Sequence, residues 1–215
     1  MIDLIKKNRA FLSIYLVFAG IVIFLIVVLG KIDAQLFVNQ FHSPFFDSFF
    51  FWSTKIVEWF SVIVILGILV FKGAKYALNG LFIYASTAII TFSLKRLFFF
   101  HEQRPTSLIS DLRLLPSEFE LTQLSSHSFP SGHTTAAFTL FCFLTLISSN
   151  KKLGILYGLI AVLIAYSRIY LSQHFFQDIL AGATIGVFAT FVLYFLFEKI
   201  NYGNWATRPL IRKRK

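Results

Sequence analysis

Three short segments of the chain carry side chains that could do chemistry together. They are Lys95–Pro105 (KRLFFFHEQRP), Phe129–His133 (FPSGH) and Ser167–Asp178 (SRIYLSQHFFQD). Each segment holds cationic or imidazole groups, and each lies beside a long apolar run. Ionisable groups at the edge of a membrane segment are costly unless they act together, so they indicate a functional site. Two histidines, several cations and an aspartate favour chemistry on a phosphate.

The third segment offers a nucleophile. His174 and Asp178 are four residues apart, which places them on one helical face if the sixth helix begins near His174. A carboxylate beside an imidazole fixes its tautomer and leaves the other ring nitrogen free to attack an electrophile. Arg168 adds a permanent cation. The alternative is a His–Asp pair that only caps a membrane helix.

The second segment offers an anion cradle and an acid–base group. Ser131 is a good helix N-cap, and Gly132 lets the backbone approach a ligand closely. The N-terminus of a helix presents free N–H groups and the positive end of the helix dipole, which suits an anion. His133 can give or take a proton there. The alternative is an ordinary helix cap.

The first segment offers cations. Lys95 ends the third apolar run, and Arg104 presents a planar fork that matches phosphate oxygens. Pro105 stiffens the backbone after it. The alternative is snorkelling of long basic side chains at the membrane surface.

A rival combination is a zinc site built from His133, His174 and Asp178, which are suitable ligand types. The cations of the first and third segments argue against it, because they would repel a metal ion and attract an oxyanion. We therefore expect no metal and no cofactor.

The composition identifies the class of protein. Of 215 residues, 57% are hydrophobic and only 14% are charged, against about 25% charged in soluble domains. This indicates an all-α, polytopic membrane protein. In so apolar a chain, the net charge of +10 favours anionic lipid rather than nucleic acid. The single cysteine, Cys142, lies in an apolar run and excludes a disulfide framework.

A membrane helix needs about 20 mainly apolar residues. Six runs approach this length, and we expect them to form one domain over residues 1–215. They are Phe11–Gly30, Ile56–Phe71, Ala77–Leu94, Thr134–Ser149, Leu153–Tyr170 and Ile179–Phe197.

Charge placement predicts the orientation. With both termini inside, 13 of the 20 lysines and arginines lie in inner segments and 7 in outer ones, as the positive-inside rule requires. The three segments that carry the candidate site residues then fall on the outer face. So do the five histidines, His42, His101, His127, His133 and His174.

Two outer connections are long. Lys31–Lys55 is rich in aromatic residues, and we expect an interfacial amphipathic helix there. Thr106–Phe129 contains Pro116 and is either a lid over the site or a plain loop.

Together the three segments resemble the type 2 phosphatidic acid phosphatase (PAP2) superfamily. Its signature is Lys, six residues, Arg-Pro; then Pro-Ser-Gly-His; then Ser-Arg, five residues, His, three residues, Asp. The second and third elements match completely at Pro130–His133 and Ser167–Asp178. The resemblance covers about residues 55–195.

The first element is longer in this chain than in the family signature. The family lysine would fall at Leu97, whereas eight residues separate Lys95 from Arg104 and seven separate Arg96 from it. Lys95 follows the third apolar run as the family lysine does, and Arg96 is the alternative. We expect the two extra residues to bulge within Phe99–Gln103.

The resemblance implies a mechanism. His174 attacks phosphorus and forms a phosphohistidine, Asp178 orients it, and His133 protonates the leaving oxygen and then activates water. The phosphate oxygens would be held by Lys95, Arg104, Ser131, Gly132 and Arg168.

The resemblance also implies a membrane lipid phosphate as substrate. The family's substrates include undecaprenyl diphosphate, phosphatidylglycerol phosphate, phosphatidate and lipid A phosphates. The expected location is a bacterial inner membrane, with both termini cytoplasmic and the site periplasmic. A phosphotransferase on the same fold is an alternative. A transporter fits less well, because the polar groups cluster at one face instead of lining a path through the helices. The oligomeric state is not predicted.

Overall fold

The computed structural model of the chain is all-helical, which confirms the predicted fold class. It describes residues 1–114, 125–200, 202–203, 205–206 and 208, and no strand occurs among them. Side chains at 55–59, 61–62 and 69 are outside this description. The predicted Thr106–Phe129 connection lies partly outside the described residues, since 115–124, including Pro116, are not among them.

The described residues form one short N-terminal helix, six long helices, a π-helical turn and one short helix in a connection. In chain order they are α1 (Ile2–Lys7), α2 (Arg9–Asn39), α3 (Pro44–Lys72), α4 (Ala74–Ser93), the π-turn (Leu94–Phe98), α5 (Pro105–Leu108), α6 (Gly132–Ile147), α7 (Leu153–Tyr170) and α8 (Phe176–Phe197).

Each predicted run lies on one of the six long helices, but α2 and α3 are longer than the runs predicted for them. The Lys31–Lys55 connection is therefore largely helical, and only residues 40–43 link α2 to α3. The predicted end at Gly30 coincides with a break, because Gly30 has φ +76° and ψ −179° inside α2. Only glycine adopts such a φ without strain, and the helix resumes after it. Ser43 then caps α3 by accepting a hydrogen bond from Phe46 N–H.

Four helical stretches in the described part of the chain are long and apolar enough to cross a membrane: Arg9–Asn39, Ala74–Phe98, Leu153–Tyr170 and Phe176–Phe197. Two shorter apolar stretches, Ile63–Lys72 and Gly132–Ile147, lie on the other two predicted spans. The six-span topology and its orientation therefore stay predictions.

Helix α6 forms the centre of the bundle. It packs against α4, α7 and α8, while α2 packs against α7 and α8. Most of its side chains are buried, including Phe138 and Cys142, which have no exposed surface. Large apolar side chains of the surrounding helices face outward instead, as a lipid environment allows. The most exposed of these are Val27, Phe45, Phe98 and Phe188.

Two glycines of α8 allow the close contact with α6 that the site requires. A Cβ at Gly182 would lie 2.6 Å from the carbonyl oxygen of Ser131, and one at Gly186 would lie 2.8 Å from that of Thr135. Both neighbours are backbone atoms that cannot rotate away. The small residues of α8 thus determine how near the start of α6 lies to the start of α8.

We expect Gly182→Ala to destabilise the protein and lower its activity, since α6 and α8 must separate to admit the methyl group. Overpacking of this kind costs about 1–3 kcal/mol. Thermal unfolding in detergent measures the loss. Gly20→Ala is the matched control, because a Cβ at Gly20 meets nothing within 4 Å. Equal melting temperatures for the two variants would contradict the assigned contact.

Candidate active site

The N-terminus of α6 is capped as its sequence predicts. Ser131 Oγ accepts hydrogen bonds from Thr134 N–H (3.4 Å) and Thr134 Oγ1 (2.9 Å). A Cβ at Gly132 would meet nothing within 4 Å, so this residue leaves open space beside the helix end. Ser131 itself is fully buried, and its N–H donates to the backbone oxygen of Asp178 at 3.0 Å.

The start of α8 is organised by the Asp178 carboxylate. Its Oδ2 atom accepts a hydrogen bond from the backbone N–H of Phe175 at 3.0 Å, which caps the helix. The same oxygen accepts a hydrogen bond from the Ser128 hydroxyl. It lies 3.4 Å from His174 Nδ1, and both side chains are almost completely buried. This geometry leaves Nε2 of His174 as the ring nitrogen that is not directed at Asp178.

Arg104 lies against the His174 segment. Its Nη1 donates to the carbonyl oxygen (2.9 Å) and to Oε1 (3.3 Å) of Gln173, and its Nε donates to Ser126 O at 3.2 Å. These bonds hold the guanidinium in one orientation through its Nη1 and Nε atoms. Arg104 is 5% exposed, and Arg168 is 4% exposed.

Arg168 is joined to the same segment through its backbone. Its carbonyl oxygen accepts from Gln173 N–H (3.0 Å) and His174 N–H (3.2 Å), so the chain reverses tightly between α7 and α8. The turn brings the Arg168 and His174 side chains into electrostatic reach of each other.

Lys95 and Arg96 have different surroundings. Lys95 is half-buried and, with Gly132, lines a cavity of about 240 Å³ between α4 and α6. Arg96 is exposed, and its guanidinium lies 5.5 Å from the ring centre of Phe92. The sequence left open whether Lys95 or Arg96 belongs to the site. Of the two, Lys95 is the one that lies beside Gly132.

The stretched first segment is accommodated in two places. Residues between Phe99 and Arg104 are not helical, and the irregularity begins earlier, at the π-turn Leu94–Phe98. The bulge within Phe99–Gln103 stays a prediction. In the π-turn, Phe99 N–H bonds to the carbonyl of Leu94, five residues back. Such π-turns insert extra residues into a helix and occur often at functional sites.

His133, in the first turn of α6, completes the cluster. It lies within electrostatic reach of His174, and of the cations Lys95, Arg104 and Arg168. The structure thus brings all eight predicted site residues to one end of the bundle, where α4 and α7 end and α6 and α8 begin. Their catalytic roles stay predictions.

Three further residues contribute to the site and were not predicted. Ser128 bonds Asp178, Gln173 anchors Arg104, and Lys31 lies 4.4 Å from the ring centre of Phe175 and 3.6 Å from Glu102. Gln173 adjoins His174, and Ser128 lies two residues before Pro130. This closeness to the motifs is the one sequence signal that could have suggested them. Nothing in the sequence pairs Lys31 with the site.

A second buried polar cluster supports the end of α7. Asp47 Oδ1 lies 2.8 Å from His42 Nδ1 and accepts a hydrogen bond from Tyr170 OH at 2.6 Å. The His42 and Tyr170 rings stack at 4.3 Å, and Arg113 Nη1 donates to His42 O at 3.0 Å. The cluster joins the α2–α3 link and the Thr106–Phe129 connection to α7, two residues beyond Arg168.

His174 is held in its uncharged form. Burial, and then the charges of Arg104, Lys95 and Arg168, lower the pKa of His174 well below its ordinary value. A neutral imidazole has a ring nitrogen available for attack. Burial also lowers the pKa of Arg104, although Asp178 opposes this shift. Within the described residues, no group of three or more His, Cys, Asp or Glu side chains could hold a metal ion.

Comparison with known proteins yields one family. A family model described as the PAP2 superfamily matches residues 76–202. A lipid A 4'-phosphatase of Bacteroides thetaiotaomicron is 30% identical over 187 residues, which is 80% of each chain. A phosphatidylglycerophosphatase B of Bacillus subtilis is 38% identical over 97 residues, which is 41% of this chain and 48% of the relative. The crystal structure of Aquifex aeolicus LpxE superimposes with a TM-score of 0.66 at 25% identity, covering 76% of this chain and 94% of that one.

Proposed function

The chain belongs to the PAP2 superfamily, and on that basis we propose that it hydrolyses a lipid phosphate or diphosphate of a bacterial membrane through a phosphohistidine. One observation carries the proposal: the buried His174–Asp178 pair lies among the cations Lys95, Arg104 and Arg168. The named relatives are lipid phosphatases, which supports the substrate class. We further propose six spans, with the site at the periplasmic face of the inner membrane.

In the first step, Nε2 of His174 attacks phosphorus and the bond to the lipid oxygen breaks. His133 gives its proton to that oxygen, and the lipid alcohol leaves. Asp178 holds Nδ1–H and stabilises the positive charge that develops on the ring. Lys95, Arg104 and Arg168 stabilise the charge on the equatorial oxygens.

In the second step, His133 takes a proton from water, which attacks the phosphohistidine. The P–N bond breaks, phosphate leaves, and His174 returns to its neutral form. The N–H groups at the start of α6, beside Gly132, face the same phosphate, while Ser131 holds that helix end in place. Three protein cations supply the charge that metal ions supply in many other phosphoryl-transfer enzymes, so we propose that no metal takes part.

We expect His174→Ala to abolish turnover, because the variant lacks the nucleophile. Release of inorganic phosphate from a panel of lipid phosphates should fall by at least about a thousandfold, while the purified variant keeps the elution profile and melting temperature of the wild type. His101→Ala is the matched control, since His101 is exposed and packs on Phe100 outside the cluster. Phosphate release at the wild-type rate by His174→Ala would refute the assignment.

Chelation tests the metal-free mechanism. We expect EDTA to leave phosphate release unchanged and vanadate, which mimics pentacoordinate phosphorus, to inhibit it. A zinc-dependent phosphatase treated in parallel shows that the chelator is effective. Loss of activity in EDTA that added metal restores would contradict the proposal and would favour a metal bound by His133, His174 and Asp178.

The pH profile tests the electrostatics around His174. Its neutral form attacks, so activity is lost as the pH falls through the lowered pKa. We therefore expect the acid limb of kcat/KM to lie below about pH 6.5, the ordinary value for histidine. Arg104→Gln removes a neighbouring charge, which raises the pKa of His174 and moves the limb to higher pH.

Two variants control that experiment. Arg104→Lys keeps the charge and should leave the limb near its wild-type position, even if turnover falls. Arg96→Gln removes an exposed cation, whereas Arg104 is the charge that lowers the pKa of His174 most. A limb that stays in place in Arg104→Gln, or that moves equally in Arg96→Gln, would contradict the assignment.

A further inference from the structure

The cavity beside Lys95 extends away from the phosphate site along one face of α4. Tyr84, Thr87, Thr91 and Lys95 line it from α4 and its π-turn, and Gly132 and Thr135 line it from α6. The α4 positions recur every three or four residues, so they share one face. From Tyr84 to Lys95 the groove runs about 16 Å at the helical rise. It therefore leads from the phosphate site towards the interior of the membrane.

The hydroxyl groups along this groove differ in their bonding. Thr87 Oγ1 donates to Tyr84 O at 2.9 Å and accepts from Thr139 Oγ1 at 3.2 Å. Thr135 Oγ1 donates to Ser131 O at 3.0 Å. Thr91 is 5% exposed, and no hydrogen-bond partner for its Oγ1 occurs among the described residues. A buried hydroxyl without a partner is unfavourable, so this one is available to a ligand.

Thr91 lies one helical turn before Lys95. That separation is about 6 Å along the axis. When Lys95 holds the phosphate, the Thr91 hydroxyl faces the part of the substrate that follows the phosphoester oxygen. A glycerol or sugar unit carries further oxygens there, whereas an isoprenoid chain carries only carbon and hydrogen. The cavity volume of about 240 Å³ leaves room for such a unit, and Ala88, Phe92 and Ala136 give the rest of the groove an apolar lining.

We propose that Thr91 determines specificity by donating a hydrogen bond to an oxygen of the glycerol or sugar unit that carries the phosphate. The inference rests on the proposed lipid phosphatase activity and narrows its substrate class. The protein then hydrolyses phosphates on oxygen-bearing lipids more efficiently than phosphates on isoprenoids. Thr91 binds the substrate but takes no part in the transfer of the phosphate.

The test compares three substrates in mixed micelles: phosphatidate, a lipid A 4'-phosphate and farnesyl phosphate. Thr91→Val keeps the side-chain shape and removes the hydroxyl. Loss of one hydrogen bond should lower kcat/KM about five- to tenfold for the oxygen-bearing substrates and leave farnesyl phosphate within about twofold. A decrease confined to phosphatidate or to the lipid A phosphate supports the inference and identifies the source of the oxygen. Thr91→Ser retains a hydroxyl and should restore the preference.

Stability provides an independent measurement. Thr91→Val removes a hydroxyl without a partner, so its melting temperature should not fall. Thr145→Val is the matched control, because Thr145 is equally buried, donates to Phe141 O at 2.8 Å and lies outside the groove. It should melt lower and keep the wild-type substrate preference. Thr91→Ala gives the same comparison if Thr91→Val does not accumulate.

Two outcomes overturn the inference while the proposed function stands. One is an equal decrease for all three substrates in Thr91→Val, and the other is no decrease for any of them. Failure of the wild type to release phosphate from these three lipids, and also from phosphatidylglycerol phosphate and undecaprenyl diphosphate, would instead refute the proposed function itself.

Discussion

The site depends on one hydrogen bond between two helix starts. Ser131 N–H donates to the backbone oxygen of Asp178, which joins the first turn of α6 to the first turn of α8. The same aspartate uses its carboxylate to cap α8 and to orient His174. Asp178 therefore connects the anion cradle to the nucleophile. Gly182 makes this possible, because any larger residue there would collide with Ser131.

Charge is the reason for proposing an anionic ligand at this site. Lys95, Arg104 and Arg168 lie together around His174, and Asp178 is the carboxylate that faces them in the described structure. Cations at the end of a membrane bundle are costly unless a counter-charge is near. Arg104 satisfies part of its bonding with backbone oxygens, which fixes its direction but does not neutralise it. In the proposed function, the phosphate group of the substrate brings negative charge to these cations, so binding the substrate also relieves the repulsion between them.

The sequence predicted the features that depend on local chemistry. Apolar runs located the helices, because buried and exposed positions follow helical periodicity. The Ser167–Asp178 spacing also pointed to the His–Asp pair, but the shared helical face was wrong. His174 lies just before α8 (Phe176–Phe197), and the pair forms because Asp178 turns back over the start of that helix. The sequence did not predict Ser128 or Gln173 as partners, since those bonds join segments that are distant along the chain. It also missed the continuation of α2 beyond Gly30. One glycine with a positive φ interrupts a helix without ending it, and an apolar pattern cannot separate those two cases.

The stretched first segment shows how a departure from a motif is absorbed. Leu97 stands where the family pattern has its lysine, two residues and roughly 200° around the helix from Lys95, and it is 68% exposed on the outer surface. A lysine there would face away from the site. The connection that follows Leu97 is held by specific contacts. The Phe99 ring packs on Phe129 at 4.6 Å, Ser128 N–H donates to Glu102 O, and Arg104 N–H donates to Ser125 O. These contacts join the stretched segment to the residues just before α6. Arg104 is thereby held by the same backbone that presents Ser128 and the anion cradle, so its position does not depend on the number of residues that separate it from Lys95.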